Sequence, residues 1–137
     1  MAAFATMSLN DGQDTPVSHA FNPVDHGNGN YTWRESGTSS VLGAAIVHLT
    51  KLKVKGNSSL EKVRVKVFVP ALETVTGQTY DGYTAQPRLA YALNSAQDFT
   101  MPIRASVAQR KDLVAFSKNV LTIDQVTDAL FNSMFPT

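Results

Sequence analysis

The segment Lys62-Val-Arg-Val-Lys-Val-Phe-Val69 alternates cationic and β-branched residues for almost its whole length. Successive side chains of a strand point to opposite faces, whereas a helix would scatter these valines around its circumference. A strand is therefore predicted, with Lys62, Arg64 and Lys66 on one face, Val63, Val65, Val67 and Val69 on the other, and an end at Pro70. Such a two-faced strand requires a sheet that is wet on one side and covered on the other.

The preceding segment, Ile46 to Val54, is predicted to pair with it as a hairpin across a turn at Gly56-Asn-Ser-Ser59. Here Lys51, Lys53 and Lys55 share one parity, and Leu52 and Val54 the other. Pairing the strands with these apolar residues aligned with the valines is expected to gather six cations in one patch. Half of the chain's twelve basic residues lie in this stretch, with Glu61 as the one acid between residues 47 and 70. Residues 1–46, by contrast, set Arg34 against Asp11, Asp14, Asp25 and Glu35. A solvated sheet face usually mixes signs, because like charges side by side are destabilising. A concentrated cationic face in a chain of net charge +1 instead fits a polyanion. Neutralising ~4 phosphates per chain would give a slope of log affinity on log salt of about −3 for a single strand.

The other elements follow from turn residues and periodicity. Phe4–Leu9 and Val17–Phe21 flank Asn10-Asp11-Gly12 and predict an N-terminal hairpin. Pro23 and the cluster Asp25 to Asn30 are expected to interrupt the strands before Tyr31–Glu35 resumes, and Gly37 to Ser40 reads as a turn. Glu73 to Gln86 is expected to form a long loop, and Leu89–Met101 a last strand. After Pro102 the period becomes 3.6, with Val107, Leu113, Val114, Phe116, Val120 and Leu121 as one apolar stripe. Ser106 with Gln109 and Thr122 with Gln125 are capping-box pairs that predict two successive helices. Strands first and helices last define an α+β fold, and 137 residues suit one domain: hairpin and sheet over 1–102, helices over 103–137. The apolar face of the sheet is the natural cover for the helix stripes.

Enzyme chemistry finds little support. The chain has no cysteine, which excludes disulfides and thiolate sites and is compatible with a reducing cytoplasm. His19, His26 and His48 lack metal-ligand spacing, so no metal or cofactor is expected and each reads as a strand or turn histidine. Asp11-Gly12-Gln13-Asp14 lacks the acidic spacing of a calcium loop, and Gly27-Asn28-Gly29 lacks the strand-to-helix context of a phosphate loop. No apolar run is long enough to span a membrane, and no basic residue precedes the first apolar ones, so no export signal is expected.

Four segments, in their order and spacing, resemble the single-stranded RNA bacteriophage coat proteins, the levivirus-like family. They are Leu9-Asn-Asp-Gly12 at the first turn, Lys62 to Pro70 as the basic central strand, Phe99-Thr-Met-Pro-Ile103 at the strand-to-helix junction, and Arg110 to Phe135 as the terminal helices. The resemblance implies an intertwined dimer with one continuous sheet, built into an icosahedral shell in the bacterial cytoplasm. It also implies an inner sheet face that packages genomic RNA and binds a hairpin repressing replicase translation. Lys62 and Lys66 match family lysines used for RNA contact, and Arg64 falls at an intervening RNA-facing position. Asn94 and Ala96 stand where some relatives carry a stacking tyrosine and a contacting asparagine, so a different hairpin is expected. The expected RNA contacts are thus Lys51, Lys53, Lys55, Lys62, Arg64 and Lys66, with Asn94 as a base contact. Two rival readings are a cellular dimeric nucleic-acid-binding module, which would stop at the dimer, and a small hydrolase.

Overall fold

The structure, a computed structural model, describes residues 2–38, 40–53, 56, 59–73, 82 and 86–137. Six strands form one sheet in chain order: β1 (Met7–Asn10), β2 (Ser18–Gly27), β3 (Asn30–Glu35), β4 (Ile46–Lys53), β5 (Leu60–Glu73) and β6 (Arg88–Pro102). A short 3-10 turn, Val41–Gly43, precedes β4, and the helices α1 (Val107–Val120) and α2 (Asp124–Asn132) end the chain. This is the expected α+β arrangement, an antiparallel sheet followed by two helices. Contacts group the chain into two units, Met1–Thr100 and Met101–Thr137. Most of the expected loop, 74–81 and 83–85, lies outside the described residues, as do Val54, Lys55, Asn57 and Ser58.

Several sequence expectations are corrected. The cluster Asp25 to Asn30 does not interrupt the sheet; it holds a hairpin turn. Gly27 pairs with Asn30, leaving Asn28-Gly29 as a two-residue loop with φ of 51° and 80°. Such turns need two positive φ angles, which Asn and Gly adopt at least cost. Pro23 is accommodated where the β2–β3 register shifts between Pro23 and Asp25, since a bulge tolerates a missing N–H. Nor does β5 end at Pro70. Its pairing with β4 finishes at Phe68, so Pro70 withholds no donor from that ladder.

The β4–β5 register decides which side chains share a face. Val47 lies opposite Val67 and Leu49 opposite Val65, while His48 faces Lys66 and Thr50 faces Arg64. Opposed residues of an antiparallel pair lie on the same side. Trp33 extends the valine face through its pairing with Val47. There Phe4 packs edge-on against Trp33, Tyr31 and His26 at centroid distances of 5.0, 5.5 and 5.3 Å. The Trp33 indole N–H donates to the Ala5 carbonyl at 2.9 Å, tying the segment before β1 to this face.

In the second unit, the Ser106–Gln109 capping box forms as expected: Ser106 Oγ accepts from the Gln109 N–H at 3.2 Å, and Gln109 Oε1 from the Ser106 N–H at 3.0 Å. Arg110 donates back to the carbonyls of Pro102, Ile103 and Ala105, fixing the chain before α1. The Thr122–Gln125 box does not form. Ile123 is the N-cap of α2, with no side-chain cap, and the Thr122 hydroxyl donates to the Asn119 carbonyl at 2.7 Å instead. A hydroxyl that returns to its own preceding turn is lost to the next helix.

Apolar burial is sparse. Among the described residues only Phe21, Ala44 and Val47 are buried hydrophobics, and neither helix has a buried residue. Phe116 is 72% exposed and Phe131 79%. Burial at about 25 cal/mol per Å² is the main stabilising term of a fold, so these surfaces call for a cover.

The N-terminal strands are joined by an ion-paired histidine. Asp11 Oδ1 accepts from the N–H groups of Gln13 (3.3 Å) and Val17 (3.0 Å), closing the β1–β2 turn. Its Oδ2 lies 3.2 Å from His19 Nε2, and His19 Nδ1 lies 2.6 Å from Glu35 Oε1 on β3. Hydrogen bonds to Asp11 and then Glu35 raise the His19 pKa above its ordinary 6.5, against a smaller opposing effect of desolvation. This stabilisation is complete below the ordinary value and is lost as pH rises through the raised one. His19→Ala is accordingly expected to lower the melting temperature more near about pH 5.5 than near about pH 8.5. An equal loss at both, in thermal unfolding of the full chain, would contradict a charged bridge.

Candidate nucleic-acid interface

On the face opposite the valines, the strand pairings build polar rows. Thr32, His48 and Lys66 form one, with Thr32 Oγ1 3.1 Å from His48 Nδ1. Asn30, Thr50 and Arg64 form the next, and Leu52 lies beside Lys62 beyond it. Hydroxyls, an amide, an imidazole and three cations thus share one surface. They can donate to phosphate oxygens or meet base edges.

The expected six-cation patch is corrected by this register. Lys62, Arg64 and Lys66 do share a face, but Lys51 lies opposite Val63 and so belongs to the valine side. It is exposed there, with Nζ 4.0 Å from a Glu61 carboxylate oxygen. The backbone of Lys53 lies opposite Glu61 in the ladder, while the Lys53 side chain and Lys55 lie outside the described residues. The physical reason is that a one-residue slip moves every side chain to the other face. Val47 and Leu49, rather than Leu52, set which β4 face joins the valines. His48, Thr50, Thr32 and Asn30 join this face beyond the residues expected from the lysine pattern. The alternation His48-Leu49-Thr50 was the available signal.

A second correction concerns charge. The cations of β5 are not left to an external anion, because β6 supplies one. Asp98 Oδ1 accepts from Arg64 Nε at 2.6 Å and Oδ2 from Arg64 Nη2 at 2.9 Å, while Lys62 Nζ lies 3.3 Å from Oδ2. The bidentate guanidinium, and after it Lys62, lowers the Asp98 pKa to about 2 against the opposing effect of desolvation. The same carboxylate raises the Arg64 pKa further. Lys66 has no ion pair among the described residues. Asn94 is exposed on β6, four positions before Asp98 and of the same parity. Farther along, Arg88 and Glu73 pair at 2.6 Å, joining the ends of β6 and β5.

Among the described residues, no group of His, Asp or Glu could hold a metal ion, and no helix is long and apolar enough to cross a membrane. A sheet with one cationic face, uncovered apolar surfaces and two terminal helices defines a structural protein of the phage-coat type. The comparisons give the family: residues 2–135 match the Levivirus coat protein model, and the chain belongs to that family. Its role is that of a phage coat protein, and its place the capsid. The chain is similar to the coat protein in the virus-like particle of bacteriophage NT-214, at 29% identity and a TM-score of 0.84, covering 99% of this chain and 100% of that one. The corresponding values for bacteriophage ESE058 are 26%, 0.86, 99% and 100%. An unassembled, RNA-binding phage coat protein dimer shares the fold at 16% identity and a TM-score of 0.68, covering 99% of each chain. No curated protein sequence matches the chain.

Because Arg64 is the first cause of the Asp98 shift, Arg64→Ala is expected to move that pKa up from about 2 toward 3.8. A ¹³C NMR titration of the Asp98 carboxyl measures it, and an unmoved midpoint would refute the pairing.

Proposed function

We propose that two copies of this chain pair into a dimer whose sheets join as one, that dimers close into an icosahedral shell, and that the polar sheet face lines its interior and packages single-stranded RNA. Residues 1–137 act as one coat domain, with sheet 1–102 and helices 103–137 reaching across to the partner. Assembly takes place in the host cytoplasm, and a replicase-repressing hairpin would occupy the same RNA face. The observation that carries this reading is the two-sidedness of β5: Lys62, Arg64 and Lys66 on one side, the Val63–Val69 side and the helices short of cover. Surfaces this apolar resemble a core divided between subunits. Belonging to a coat family weighs against a cellular module or a hydrolase.

Lys66, Arg64 and Lys62 are assigned as phosphate contacts, with Thr50 and Asn94 as candidates for base or sugar contacts. Lys51 and Lys53 are not assigned to the same patch, because the β4–β5 register does not group them with it. With at most three cations per chain, the single-strand salt slope is expected to be no steeper than about −2 per chain.

Expression of the full chain tests the assembly: uniform particles tens of nanometres across holding nuclease-protected RNA are expected, and a small dimer under all salt and RNA conditions would overturn the shell. Replacing Lys62, Arg64 and Lys66 together by Ala is expected to lower the RNA content of the protein severalfold while leaving dimers intact. Unchanged RNA content in intact particles would remove the assignment. Leu113→Asp is expected to weaken dimerisation at least about a hundredfold, since an unpaired carboxylate would enter an apolar contact. Dimers of normal affinity, by sedimentation at decreasing concentration, would place Leu113 outside the interface.

A further inference from the structure

Asp98, on the edge strand β6, engages two of the three cations of the face. A surface built only to hold a polyanion gains nothing from an anion between two of its three cations. The carboxylate is not incidental to folding geometry either: it engages Arg64 through two parallel bonds, at 2.6 and 2.9 Å, and Lys62 through a third contact at 3.3 Å. The side chains are still partly open to solvent, at 35% exposure for Asp98 and 43% for Arg64. The cluster is therefore within reach of a ligand, whereas a buried ion pair would be sealed.

We propose that Asp98 is a specificity-determining residue of the RNA face, holding Arg64 and Lys62 in a clamp that stray phosphates do not open and leaving Lys66 as the freely available cation. The inference rests on the RNA-packaging reading of this face. Its physical basis is an exchange. A phosphate approaching Arg64 must take over guanidinium bonds already made in bidentate fashion to a carboxylate, and it then sits beside an uncovered Asp98. Two anions a few ångströms apart repel, so the exchange succeeds where a structured RNA makes several fitted contacts at once and fails for the phosphates of an unstructured strand such as poly(U). Lys66, on the same face and one pairing row away across Thr50 and His48, supplies the initial attraction without that competition. Non-specific affinity is thereby lowered while multi-contact RNA is retained.

Asp98→Asn keeps the shape and an acceptor for Arg64 while removing the charge, and Asp98→Glu keeps the charge. Full-length dimers are titrated with poly(U) at several salt concentrations, with the Lys62, Arg64, Lys66 triple-alanine variant in parallel. Asp98→Asn is expected to bind poly(U) roughly fivefold more tightly, from removal of one like charge near a phosphate. Its salt slope is expected to steepen by about 0.7 to 1.4 as one or two further cations reach phosphates. Asp98→Glu should behave as the native chain, which a purely structural role would not require. Should Asp98→Asn give no soluble dimer, Asp98→Ser carries the same test. Unchanged affinity and slope on removing the charge, with binding lost in the triple variant, would overturn the clamp and leave the RNA face standing. Unchanged binding in the triple variant would remove the face itself, and the clamp with it.

Discussion

The pairing of Val47 with Val67 and Leu49 with Val65 is the constraint on which the other assignments depend. It puts the apolar residues of β4 and β5 on one side and so places His48, Thr50, Lys62, Arg64 and Lys66 on the other. A strand has no intermediate setting: a slip of one residue would bury the cations and expose the valines. The tightly covered Val47, 7% exposed, marks where that register is anchored.

From this constraint follow both surfaces that a coat protein must combine. The valine side continues through Trp33 and the aromatic contacts of Phe4, but within one chain it encloses very few residues. The helices likewise have well-formed local structure, including the Ser106–Gln109 box, without a buried side chain. Local hydrogen bonding specifies these elements, while the apolar area that would stabilise them is left to association.

The polar side is less uniformly cationic than its strand suggests. Asp98 occupies two of its three cations, Glu61 approaches Lys51 on the other side, and Glu73 holds Arg88. Much of the charge on this sheet is thus held in pairs, whereas Lys66 has no ion pair among the described residues. Exposed pairs of this kind contribute little to stability, so their effect is better sought in what the face accepts and rejects. The His19 bridge is different in character, joining β1, β2 and β3 through two carboxylates and carrying a dependence on pH.

The alternation of Lys62–Val69, the helical period after Pro102 and the capping box at Ser106 are local properties, each written within a few residues. They determined the order of strands and helices, the two-faced character of β5 and the cationic side of that strand. The Asn28-Gly29 turn is equally local, but the turn-forming residues around it mask its position in the sequence. What only the tertiary structure decided was relational. Which parity of β4 joins β5 depends on the packing of Val47 against its neighbours, and that separated Lys51 from the patch. Asp98 is 34 residues from Arg64, and only the adjacency of β5 and β6 brings its carboxylate to the guanidinium. Periodicity along a chain gives the face of a strand, but partners across a sheet depend on register, which is a property of two strands at once.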